Sequence, residues 1–349
     1  MSTIFDFINA KEKAAYYTEA VSNSIPMLGE TLFPSQKQLG LELSWIKAAG
    51  GLPVALTPSA FDTKATLRDR LAFGKLITEM PFFRESMRIG EKERQQLIML
   101  LNGNNSEAIK PIIAKIYDDA KNLVDGAAVQ FERMRMQLLY TIKIAIKDRN
   151  APYDLDYKLK AAQKETITTA TAKWSATETA TPISDIIRWQ DAMEDATGVR
   201  PTRAICTRKT WGYLLTNKQI RMDISATGTI VVTDAILKSY LMDKIGLAVQ
   251  VYNKKFSLTV GGAAQAFFPD EIFTLIPEGS LGTSWYGTTP EEADLMSGNN
   301  AAQVQIVNTG VAITTYQEPH PVNTVTIVSA IMLPSFEQGD KIFIATVHS

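Results

Sequence analysis

The sequence predicts an α+β fold built from several unequal parts, and three observations predict it. A helical apolar stripe runs from Ile109 to Ile142. The text between residues 41 and 80 is extended and too poor in apolar residues to make a core of its own. Beyond the long helix come short helices alternating with apolar runs, then a tail that alternates with period two. With 349 residues, 45% of them apolar and 21% charged, the chain can bury a full core and fill one large domain or two to three ordinary ones.

Residues 1–40 read as an arm. A short helical pattern covers residues 10–21, followed by Ile25-Pro26 and Phe33-Pro34, where each proline pushes the residue before it out of the helical region. Residues 41–82 read as a long hairpin with a charged end. Leu52-Pro53-Val54-Ala55-Leu56-Thr57-Pro58 leads into the polar stretch from Asp62 to Arg70, and strand character resumes at residues 71–78. So long an excursion is expected to pack on another chain. A helix over residues 91–101 then stops at Asn102-Gly103-Asn104-Asn105.

The long helix is read from Ile109, Ile112, Ile116, Ala120, Leu123, Ala127, Gln130, Met134, Leu138 and Ile142, at steps of three and four. Gln130 is the one polar member of that stripe. At about 1.5 Å per residue the helix is roughly 50 Å long. Pro111 fits only in a first turn and Gly126 costs about 1 kcal/mol against alanine, so a late start or a bend is expected.

After Asn150-Ala151-Pro152, residues 164–181 read as strand or surface loop. Thr181 and Pro182 then open a helix that closes at Gly198. A short buried strand at residues 204–207, a helix at 209–216, a helix capped by Thr233 and ended by Gly246, and a strand at 247–252 make residues 181 to about 310 a separate α/β unit. In the tail, Val325, Ile327, Ser329, Ile331 and Leu333 share one face of a strand. A turn at Gln338-Gly339-Asp340 leads to a last strand over residues 341–347.

Chemistry is hard to place on this chain. Lys and Arg number 36 against 37 Asp and Glu, a net charge of −1, so no field of one sign gathers nucleic acid or an anionic membrane over the whole surface. Neither a secretory signal nor a membrane span is expected, and the chain reads as soluble and cytosolic. One cysteine, Cys206, excludes an intrachain disulfide, and with two histidines, His320 and His348, a metal site is not expected.

Gly261-Gly262 lacks the rest of a phosphate loop, and Gly279-Ser280-Leu281-Gly282 is one residue short of a nucleophile elbow. Cys206 reads as an inert buried thiol and His320, between two prolines, as part of a rigid turn. The acid pairs Asp118-Asp119, Glu291-Glu292 and Asp191 with Glu194-Asp195 read as solvated faces. No catalytic, cofactor-binding or metal-ligating residue is assigned, and a hydrolase built on Cys206 or Ser280 is the reading from another class. The cations Arg133, Arg135, Lys143, Lys147 and Arg149 fit helix-dipole complementarity and a DNA-facing surface equally well. Phe82-Phe83 and Phe267-Phe268 read as core or interface.

The order of parts resembles the Hong Kong 97-type fold of tailed-phage major capsid proteins, and within it the lambda-type family. The likeness is carried by Ser59-Ala60-Phe61-Asp62, by Arg68-Asp69-Arg70-Leu71-Ala72-Phe73 and by Met80-Pro81-Phe82-Phe83-Arg84-Glu85. Further along it is carried by Lys173-Trp174-Ser175, Phe268-Pro269-Asp270, Gly282-Thr283-Ser284-Trp285-Tyr286-Gly287 and residues 325–333.

The resemblance implies an N-terminal arm over 1–40 and an extended loop over 41–82 laid on a neighbour. It implies a peripheral domain over 83–180 and 312–349 with a spine helix at 106–148, and an axial domain over 181–311. It implies a virion subunit that forms pentamers and hexamers of an icosahedral shell around double-stranded DNA, assembled in the host cytoplasm. Assembly contacts are expected at Asp62, Lys64, Arg68, Asp69, Arg70, Phe82 and Phe83. The implied partners are a separate scaffolding protein, a portal protein, a decoration protein and packaged DNA held by weak contacts. The alternative on the same fold is an encapsulin-like shell of a cellular compartment.

Overall fold

The computed structural model describes residues 10–21, 27–47, 74–102, 106–146, 152–158, 160–225, 227, 231–298, 303–320 and 322–348. In chain order the elements begin with α1 (Ala10–Val21), α2 (Leu28–Leu32), β1 (Ser35–Lys37), β2 (Glu42–Lys47), β3 (Gly74–Glu79), β4 (Phe82–Ile89), α3 (Glu91–Asn102) and α4 (Ser106–Thr141). The middle of the chain forms β5 (Lys143–Ile146), β6 (Tyr153–Asp156), β7 (Lys164–Thr166), α5 (Pro182–Thr197), β8 (Arg203–Cys206), α6 (Arg208–Thr216), α7 (Lys218–Ile224), α8 (Asp234–Ile245) and β9 (Ala248–Val251). The last third forms β10 (Lys255–Phe256), β11 (Gln265–Ala266), β12 (Ile272–Ile276), β13 (Ser284–Tyr286), α9 (Pro290–Met296), β14 (Gln303–Val307), β15 (Val311–Pro319), β16 (Val322–Pro334) and β17 (Phe343–Thr346). Two compact units hold them: the described residues within 1–43, 77–133 and 283–335, and those within 44–76, 134–282 and 336–349.

The first unit is organised by β16. Its run of Val, Ile and Thr suits a pleated surface, and it pairs antiparallel with β15 along Val311–Pro319 and with β4 from Thr324 to Ile331. The sheet continues through β13 to β1 on one side and through β15 to β14 on the other. Both faces of β16 are covered: Asn323, Thr324, Thr326 and Ser329 are buried alongside Val325 and Ile331. Sequence alternation alone assigns it a single buried face. The β14–β15 turn carries Asn308 and Thr309 at φ 46° and 69°, and Gly310 follows because a Cβ there would lie 2.7 Å from Cβ of Tyr286.

The second unit carries a mixed sheet in the order β7-β17-β12-β8-β9. Its core gathers Trp174, Trp189, Trp211, Phe273, Leu275 and Phe343 with apolar residues of α5, α6 and α8. The three tryptophans are buried, and each indole N–H donates to a carboxylate: Trp174 to Asp185 at 3.1 Å, Trp189 to Glu165 at 2.7 Å and Trp211 to Asp234 at 3.0 Å. Helix α5 begins with Pro182 at its first position and ends at Gly198, φ 70°; the Thr181 side chain makes no cap bond. Thr233 does cap α8, accepting from the N–H of Ile236 at 3.4 Å, and Gly246 closes it at φ 63°.

One expectation is corrected. The spine helix ends at Thr141, not at 148, and it begins at Ser106, upstream of Pro111. Its end is set by Ile142 at φ 56° and by Gln137, whose amide donates to the Ala145 carbonyl at 3.2 Å and accepts from the Ala145 N–H at 3.0 Å. That pins the β5–β6 hairpin across the last turn. The two compact units are divided at other places in the chain than 181 and 311. The last strand, β17, pairs with β12 and β7 inside the second unit, whereas β13 and α9 belong to the first.

Candidate assembly surface

Strands β2 and β3 pair as a two-stranded ribbon. Its root is fixed where the Met80 N–H donates to the Leu41 carbonyl at 3.0 Å. Residues 48–73 lie between these strands, so Asp62, Lys64, Arg68, Asp69 and Arg70 fall outside the described residues. The chain turns into the ribbon at Gly40, φ +94°, a conformation that suits glycine. Gly287 fills the crossing below it: a Cβ there would lie 2.6 Å from Cγ2 of Ile331 and 2.9 Å from the Gly40 carbonyl oxygen. Beside that turn, Leu39 and Leu41 are 74% and 45% exposed.

Phe82 and Phe83 open β4 opposite Ile331 and Ala330. Successive side chains leave a strand on opposite faces; Phe82 is exposed and Phe83 half-buried. The Arg84 guanidinium lies 4.7 Å from the Phe82 ring centroid and pairs with Glu291 at 2.5 Å. The other oxygen of Glu291 accepts from Ser329 at 2.8 Å, and Lys37 reaches Glu292 at 2.5 Å. The turn at Gly40 and the start of β4 both adjoin Ile331, and Leu39, Leu41 and Phe82 are exposed apolar side chains of these two segments. Leu39 and Leu41 were legible as two leucines flanking a glycine just before the ribbon.

The side chains that carry chemistry elsewhere are engaged structurally. Cys206 is buried, and burial pushes its thiol pKa up, away from a reactive thiolate. His348 donates from Nε2 to the Asp270 carbonyl at 2.7 Å, and burial holds its pKa below the ordinary value. Asp191 and Glu194 both accept from Arg200, at 2.6 and 2.7 Å. Among the described residues no group of three or more His, Cys, Asp or Glu could hold a metal ion. Arg135 is buried and Lys143 pairs with Asp156 at 2.8 Å, so neither supplies a basic face; Lys147 and Arg149 lie outside the described residues. No helix among the described residues is long and apolar enough to cross a membrane.

A model of the family described as phage major capsid protein E matches residues 15–347. The chain belongs to that family. The putative capsid protein of a prophage of Escherichia coli CFT073 matches its fold with a TM-score of 0.61 at 16% identity, covering 97% of this chain and 99% of that one. A phage-related protein of Bordetella bronchiseptica RB50 matches with a TM-score of 0.51 at 12% identity, covering 97% and 96%. No curated protein matches the sequence. This capsid protein therefore has the Hong Kong 97-type fold and is a shell subunit of a tailed phage, located in the virion; the family match favours this over the encapsulin-like compartment named as the alternative.

Proposed function

We propose that this capsid protein closes its shell by laying the segment carried on the β2–β3 ribbon over a neighbouring copy, within pentamers and hexamers that enclose double-stranded DNA. What supports the reading is that two strands pair on either side of residues 48–73, a segment whose charged end cannot bury a core within itself. Contact with a neighbour offsets the entropy of ordering such a segment. The exposed side chains of Leu39, Leu41 and Phe82 near the ribbon root supply apolar area to the same interface, together with Phe83. Asp62, Lys64, Arg68, Asp69 and Arg70 are its polar contacts. The α/β unit around α5, α6 and α8 takes the axial position, and the sheet around β16 the peripheral one.

In this reading the subunit is structural and not catalytic. A separate scaffolding protein, a portal protein, a decoration protein and packaged DNA are its partners. Near-neutral charge fits many copies packed around DNA, because a strongly basic wall would condense it and a strongly acidic one would repel it. Electron microscopy of Phe82→Asp alongside the native protein, each coexpressed with a scaffolding protein, tests the ribbon-root contact. Native shells and a folded variant that forms none are expected; shells formed equally by the variant would defeat it.

A further inference from the structure

The arm helix α1 packs on β14 and β15 with the Lys13 amine buried beneath it. Lys13 is 1% exposed, and its Nζ donates to Oγ1 of Thr326 at 2.6 Å and to Oγ1 of Thr315 at 3.2 Å, two residues paired directly across β15 and β16. Hydroxyls supply partial charge only, and a buried cation ordinarily has a carboxylate beside it. Lys13 takes part in none of the ion pairs found among the described residues.

Among the described residues, Glu12, Asp118 and Glu318 bond elsewhere than to Lys13. On α1 itself, Glu12 accepts from the Tyr117 hydroxyl at 2.7 Å, and Tyr16 donates to Asp118 at 2.8 Å, both toward α4. Tyr17 accepts from Asn308 at 2.7 Å, and its field includes Asp125 of α4 and Glu30. Strands β14 and β16 contain no charged residue, and the one carboxylate of β15, Glu318, faces the Tyr316 hydroxyl at 3.5 Å.

We infer that Lys13 makes docking of the arm helix dependent on protonation, the arm being held more weakly when Lys13 is charged. Undocked, the amine titrates at its ordinary 10.5; burial lowers the docked value to about 8. A base with a depressed docked pKa penalises docking fully below the lower value, and the penalty is relieved as pH rises toward the upper one. Between pH 7 and pH 9 these two values strengthen docking about tenfold. The Tyr17 and Tyr117 hydroxyls, both shifted upward, do not titrate in that interval.

The test is amide hydrogen exchange of residues 10–21 in the full, unassembled chain at pH 7, 8 and 9, referred to the amides of α8 in the same sample so that the intrinsic pH dependence cancels. The expected result is a rise of about tenfold in relative protection of α1 from pH 7 to pH 9. In Lys13→Met, protection should already be higher at pH 7 and flat with pH. Constant protection in the native chain would overturn the inference, as would an equal rise in both proteins, which would assign it to the α-amino group or another site. Loss of arm protection in Lys13→Met would also overturn it, since the ammonium would then be holding the arm. If Lys13→Met fails to fold, Thr326→Val takes its place: removing the 2.6 Å acceptor should lower protection at pH 7 and steepen the dependence, and an unchanged slope counts against the inference.

Discussion

Gly126 stands on the exposed side of α4, and nothing lies within 4 Å of where its Cβ would be. Glycine in a helix interior costs about 1 kcal/mol relative to alanine through backbone entropy. Gly126→Ala should therefore stabilise the subunit by about 1 kcal/mol, read as a higher thermal midpoint; no gain would mean that α4 bends there in solution. Glu165 is a residue of the opposite kind. It accepts from the buried Trp189 indole at 2.7 Å and pairs with Arg188 through both oxygens, one at 2.9 Å. The Arg188 guanidinium holds its carboxyl below the usual value, with the indole N–H adding to the effect. Its contribution is complete above the ordinary carboxylate range and fades as pH falls through the depressed value. With Arg188 half-exposed, the ion pair is worth well under about 1 kcal/mol. Glu165→Gln should melt slightly below the native protein at pH 7, with the gap narrowing as pH falls below the ordinary carboxylate range; a gap that stays constant in acid would assign the effect to packing.

At the scale of elements, what could be read locally was read. Helix α5 was legible in Pro182 and Gly198, and α8 in Thr233 and Gly246, because caps are short-range chemistry. The stop of α4 was not, since Ile142, Ile144 and Ile146 continue an apolar rhythm that helix and strand share. A left-handed Ile142 and the Gln137 clasp, both tertiary features, decide it. The ribbon was legible as an excursion without a core, although its charged residues lie outside the described residues. Deleting residues 58–70 removes that end without touching β2, β3 or either unit's sheet. The deletion protein should keep the native circular dichroism and melting transition while particle assembly is lost. Assembly that survives would place the shell contacts elsewhere on the subunit.

At the scale of the whole molecule, chain order and spatial order part company, which is why the boundaries could not be read. Short apolar strands such as β8 and β17 announce that they are buried, but no local signal says which strand lies beside which. The sheet answers it: β17 pairs with β12 on one side and β7 on the other, and is the only strand paired with β7 among the described residues. Phe343, Ile344 and Val347 are each no more than 3% exposed, and burying such side chains is worth about 1.5–3 kcal/mol apiece. Their sum is comparable to the roughly 5–15 kcal/mol that holds a domain together. A chain ending at Ser335 should therefore lose the cooperative melting of the second unit and the amide protection of α5, even though α5 precedes the cut by more than a hundred residues in sequence. Native-like protection of α5 in that truncated chain would show that β7, β12, β8 and β9 form a stable sheet without their C-terminal partner.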